Sequence, residues 1–153
     1  MALVLDTLKR ELKNLVSNSD NFPDSFAGAA QNFANALNEY GKMVVPSSVS
    51  SEAAKAAFVS AFIASQPKQS LEIVVDGVVA YCVALAVGMA PVWVGTPPPS
   101  STSLLAAMIA AGQIALDGGS SDDWANSAAS AIDTYFRTGT ATNSTTGVVV
   151  IWS

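Results

Sequence analysis

The sequence predicts a mainly α protein: a bundle of about six helices around a central apolar helix, followed by a short C-terminal β-hairpin or arm. Apolar residues recur at spacings of three and four through most of the chain, the period of one helix face. Ser70 to Ala90 is apolar on every face beyond Asp76, as a helix enclosed by others must be. A hydroxyl-rich stretch from Thr138 to Gly147 gives way to Val148-Val149-Val150-Ile151-Trp152, a β-branched run of strand type. With 153 residues the chain has room for one sizeable core. Residues 1–139 read as the helical bundle domain, with a Pro-rich linker at 91–101, and residues 140–153 as a C-terminal β arm.

The elements follow in order. Leu5, Leu8, Leu12 and Leu15 lie on one side of a helix over 3–17, with Lys9, Arg10, Glu11 and Lys13 on the other. Those cations follow the short apolar start instead of preceding a long one, so no signal-peptide pattern fits and export by that route is not expected. The turn formers from Ser17 to Pro23 precede a helix capped by Asp24 or Ser25, with Phe26, Ala30, Phe33, Leu37, Tyr40 and Val44 facing inward. Pro46 to Ser51 breaks it. Ser50 or Ser51 starts a third helix with Ala54, Phe58, Ala61 and Phe62 in step, and Pro67 stops it.

The fourth helix, 70–90, occupies the centre. Val92 to Ser100 is expected as a stiff extended linker, because Pro97-Pro98-Pro99 holds polyproline geometry. A fifth helix spans about 102–116 and ends at Gly118-Gly119. Ser120 or Ser121 caps the sixth, Asp122 and Asp123 occupy its positive end, and Arg137 sits at its carbonyl end. Its inner face is Trp124, Ala128, Ala131, Ile132, Tyr135 and Phe136. The abundant alanines fit helices packed at close range.

Composition excludes several chemistries. Seven Lys+Arg against twelve Asp+Glu give a net charge of −5, the wrong sign for gripping phosphates, so no nucleic-acid partner is expected. The chain has no histidine and one cysteine, Cys82, which removes imidazole catalysis, intrachain disulfides and Cys-rich zinc sites. Half the residues are hydrophobic and the mean hydropathy is +0.38, so the chain folds around a core. No glycine-rich phosphate loop or dinucleotide fingerprint occurs.

The remaining candidates for chemistry have plainer explanations. Ser65 and Lys68 have serine–lysine hydrolase spacing, but Pro67 stands where that motif needs a helical turn. Glu72 and Asp76 share a helix face near its positive end, as dipole partners do. Asp117, Asp122 and Asp123 lack the alternation of a calcium loop. Cys82 lies in the most apolar helix without a cation to activate it. Asn143-Ser144-Thr145 matches a glycosylation sequon that an unexported chain would not use. No catalytic residue, cofactor or metal is therefore expected.

The uncharged stretch from Gly77 to Gly95 leaves a second possibility, a small single-span membrane protein using residues 77–95. Pro91 inside the window and the lack of Lys or Arg between Lys68 and Arg137 weigh against a membrane span. Contact surface is the better candidate for function. Trp93, Pro97, Pro98 and Pro99 on the extended segment, and Val148, Val150 and Trp152 at the C-terminal end, are expected as interface residues. An isolated strand leaves its backbone unpaired, so 140–153 must pair within the chain or with a neighbour. With apolar side chains on both faces of 148–152, a second burying surface is expected, and removal of 148–153 should leave the helices folded.

Trp124-Ala125-Asn126-Ser127-Ala128, running through Ala131-Ile132-Asp133-Thr134-Tyr135-Phe136-Arg137-Thr138-Gly139-Thr140 to Thr145-Thr146-Gly147 and the closing Val148-to-Trp152 strand, resembles the endings of small structural virion proteins of tailed bacteriophages. That resemblance implies a non-enzymatic component of tail, baseplate, neck or capsid surface. It would be made in the host cytoplasm and reside in the virion. Its partners would be other copies of itself and other virion proteins.

Overall fold

Among the described residues, leucines at three- and four-residue spacing, small alanines and turn-forming boundaries give six helices, and the β-branched segments give a three-stranded sheet. The computed structural model describes residues 2–17, 23, 25–68 and 70–153; the turn formers at 18–22 and the proposed Asp24 cap lie outside them. The order is α1 (Leu5–Ser17), α2 (Phe26–Gly41), α3 (Ser51–Ala64), α4 (Ser70–Val87), β1 (Trp93–Thr96), α5 (Thr102–Leu116), α6 (Ser121–Phe136), β2 (Thr140–Asn143) and β3 (Val149–Ile151).

Local chemistry sets the helix ends. Ser25 caps α2, its hydroxyl accepting from the Gly28 N–H at 3.0 Å. Ser120 and Asp123 form a reciprocal capping box at the start of α6. Gly118, at φ +89°, lets the chain leave α5 in a left-handed turn.

α4 is the centre of the bundle. It packs on α3, α5 and β1; the Tyr81 hydroxyl reaches Asn38 on α2 at 2.6 Å, and the Tyr81 ring meets Phe136 on α6. Phe33, Phe58, Phe62 and Phe26 form a ring ladder between α2 and α3 with centroids 5.0–5.6 Å apart. Each buried ring contributes roughly 1.5–3 kcal/mol relative to exposure. α1 lays Leu8 and Leu12, both fully buried, against α2 and α6.

β2 is the middle strand, antiparallel to both neighbours. Part of the segment read as a polyproline linker is therefore a strand: residues 93–96 find backbone partners on β2 instead of water. Gly95 permits this, because a Cβ there would collide with the backbone of Ala86 on α4. The uncharged stretch 77–95 is likewise divided. α4 stops at Val87, a turn follows, and the chain returns as β1. Among the described residues one helix, Ser70–Val87, is long and apolar enough to cross a membrane, and half of it is buried inside the fold. Ala141 and Trp152 belong to the same core as the helices. The division at residue 139 separates two sequence textures but not two cores.

Candidate functional site

The expected interface residues divide into two groups. Trp93 is half-buried against the core, with its backbone N–H on the Met89 carbonyl at 3.2 Å. Pro98 is buried and its carbonyl accepts from the Tyr135 hydroxyl, whereas Pro97 is half-buried and Pro99 exposed. Val150 is half-buried opposite Ala141, and Val148 is exposed. Trp152 has no exposure at all. Its indole Nε1–H donates to the Thr140 carbonyl at 2.9 Å, its ring meets Phe136 edge-on, and it lies over Gly139, where a Cβ would come within 2.6 Å of the indole. The reading of Trp152 as an interface anchor is thereby corrected. The chain reverses at Gly139 and again at Gly147, and strand alternation then turns residue 152 toward α6.

Alternation also decides what remains outside. Residues opposite one another in an antiparallel sheet share a face, so Val94, Thr142 and Val149 form one outward row, and Thr96, Thr140 and Ile151 the next. Val94, Val149 and Ile151 are each about 60% exposed. Val150 and the following Trp152 turn inward while Val149 and Ile151 remain open, so the fold itself buries one face of the terminal strand and leaves the other free for the second surface the sequence leads one to expect. Beside β1, the outward row runs into a shallow groove of about 350 Å3 between sheet and α4, lined by Val83, Ala86, Val87, Trp93, Val94 and Pro97 among others. None of its lining residues is charged. The outer side of α4, the groove and the sheet thus make one continuous uncharged face, rich in β-branched side chains. Its exposed valines and isoleucine, interleaved with the threonines of β2, make it the candidate contact surface.

Ser65, Lys68, Asp76, Asp117, Asp122 and Asp123 each enter a hydrogen bond or ion pair. Ser65 and Lys68 do converge, but on Asp76, whose Oδ2 accepts from the Ser65 hydroxyl at 2.5 Å and from Lys68 Nζ at 2.6 Å. Burial pushes the Asp76 carboxyl up, yet the hydrogen bonds from Lys68 and Ser65 outweigh it and hold it below the ordinary carboxylate range. The same bond raises Lys68. Asp76 is held as a carboxylate between the Ser65 hydroxyl and the Lys68 amine, and the cluster ties the end of α3 to α4.

Lys13 of α1 pairs with Asp122, Asp123 is held in the capping box, and Asp117 accepts from Gln113, which disperses the three loop carboxylates. Burial raises the Cys82 thiol well above its normal value. Among the described residues no three His, Cys, Asp or Glu side chains come together as metal ligands.

Two polar networks were not foreseen. The Tyr40 hydroxyl donates to Asp133 Oδ1 at 2.5 Å; Arg137 grips the same carboxylate with Nε and Nη2, and Nη2 also donates to the Leu3 carbonyl. Tyr81 donates to Asn38, and Asn38 in turn donates to Glu52. The four-residue spacing of Asp133 and Arg137 is the one sequence signal that pointed to the first network. Both satisfy buried polar atoms and fasten helices together. No family model, curated protein or solved structure matches this chain.

Proposed function

We propose that the chain is a non-enzymatic structural subunit of a tailed-bacteriophage virion, acting through protein–protein contacts. The observation that carries the assembly part of this reading is the uncharged face of Val83, Val87, Val94, Val149 and Ile151, left open while Ser65, Lys68 and Asp76 are tied to one another. A face without charge suits repeated contacts in a particle, since packing neighbours there desolvates no unpaired ion. The virion setting rests on the likeness of the segment from Trp124 to Trp152 to the endings of such proteins.

Mass spectrometry of purified particles from the source tests the setting, with the protein expected as a multi-copy component. Val94→Lys tests the surface. It should reduce incorporation into particles while leaving thermal unfolding unchanged, because the side chain already faces solvent. Absence of the protein from particles, or undiminished incorporation of the variant, would overturn the corresponding part.

A further inference from the structure

β3 is an edge strand, and its backbone groups alternate in direction. Asn143 donates to the Val148 carbonyl at 2.8 Å and Trp152 to the Gly139 carbonyl at 2.9 Å. Residues 148, 150 and 152 therefore turn their N–H and C=O toward β2, and residues 149, 151 and 153 turn theirs away. Ser153 is met on that outer side by Val45, the two exchanging backbone bonds of 2.8 and 3.2 Å. Val149 and Ile151 have no backbone partner there among the described residues. Natural edges are protected by lysine, proline, inward charge or a bulge. The stretch 140–153 contains no charged residue and no proline.

We propose that this edge pairs with the same edge of a second copy of the chain, β3 antiparallel to β3 about a two-fold axis at Val150, merging two three-stranded sheets into one of six. The inference rests on the assembly reading above and names its partner. In this register Val149 of each copy exchanges both backbone bonds with Ile151 of the other, so every free donor and acceptor on the edge is satisfied.

The shape of the edge selects a copy over a longer foreign strand. The open lane is closed at Ser153 by Val45, and a long strand would run into that segment. In a second copy the chain bends back toward β2 at Gly147, φ +71°, and so leaves the lane where Val45 enters it. Outward side chains also match, since Val149 stands beside Ile151 and the Val94–Thr142–Val149 row continues into Ile151–Thr140–Thr96 of the copy. Two chains of charge −5 repel, but no charged side chain lies on the stretch 140–153 that carries the contact. A three-residue edge lies at the small end of specific interfaces, which makes the dimer reversible and concentration-dependent.

Sedimentation of the full-length chain over its soluble concentration range tests the pairing. A species of twice the 15.7 kDa chain mass is expected to grow with concentration. Val149→Pro removes an outward N–H without touching the bonds to β2, and Ile151→Lys places charge on an exposed side chain. Either should weaken the dimer by roughly tenfold or more in dissociation constant while keeping the unfolding midpoint. Val150→Cys should give a covalent dimer on mild oxidation, because the two-fold sets these residues directly opposite each other; Val94→Cys, on the far edge, should not. Cys82 is fully buried and does not compete. A monomer at every concentration overturns the proposal. So does an oligomer that resists both edge variants and shows no Val150→Cys cross-link, although the assembly reading would then survive through another surface. Absence from purified particles strikes that reading alone.

Discussion

Replacing Trp152 with alanine separates a core residue from a docking anchor. The side chain is fully buried, makes an edge-on contact with Phe136 at 6.3 Å between centroids, covers Gly139 and spends its indole N–H on Thr140. Truncating a buried Trp to Ala costs about 3–5 kcal/mol from lost transfer energy and the cavity left behind. In a chain of this length that corresponds to a fall in Tm of roughly 6–20 °C. Heat and urea unfolding followed by far-ultraviolet circular dichroism reads the helical signal, to which all six helices contribute, and sedimentation reads association. The reasoning predicts a large loss of stability in the monomer itself. A loss below about 1 kcal/mol accompanied by weakened association would refute it and return Trp152 to an interface role.

Deleting residues 148–153 should unfold or severely destabilise the monomer, in contrast to what an independent arm would do, and circular dichroism of the truncated chain checks this. Tyr40→Phe should cost about 1–3 kcal/mol in urea unfolding, because Asp133 loses one donor in a buried site. Burial, with the Asp133 hydrogen bond adding to it at Tyr40, raises Tyr40 and Tyr81 above the ordinary tyrosine value of 10.0, and burial pushes Tyr135 up to about 12. The folded state then holds more protons than the unfolded chain in alkali, so the tyrosines' contribution is complete below about pH 10 and is lost as pH rises beyond it. Urea titrations across that range should show the decline, and a shallower one in Tyr40→Phe. Ser120→Ala should remove about 1 kcal/mol by dismantling the α6 capping box, measured by the same unfolding experiment. Gly95→Ala should cost about 1–3 kcal/mol by pressing β1 off the Ala86 backbone, with most of the change in the unfolding midpoint.

α1, α2 and α6 were legible from a one-sided apolar pattern, with side-chain caps at the starts of α2 and α6, and α3 and α5 from the prolines, serines and glycines that bound them. α5 begins at Thr102 and ends at Leu116 as the spacing and the glycines after it require. α4 was legible by a different pattern: it is apolar on nearly every face, it packs on α3, α5 and β1, and Tyr81 reaches two further helices from it, while Val83 and Val87 stay exposed on its outer side. β1 was hidden. Four residues next to three prolines carry too short a pattern to reveal a strand, and what makes 93–96 one is a partner strand more than forty residues later in sequence. Strand pairing depends on non-local contact, which no window along the chain contains.

The same non-locality explains why the terminal run could not be divided in advance into inward and outward residues. Val148 to Trp152 reads as a run of equals, all apolar, and a run of equals does not say which members face inward. That choice is made by register. Ala141 opposite Val150 and Gly139 beneath Trp152 leave room on the inner side, and the small residues on β2 and at the end of α6 admit the large ones of the following strand. Once Trp152 is drawn in, Val149 and Ile151 must face out, because successive strand residues cannot share a face. The burial of one tryptophan and the exposure of the two β-branched residues before it are thus a single event. The core gains its anchor, and on β3 Val149 and Ile151, without an outer backbone partner among the described residues, are left for the proposed second copy to pair.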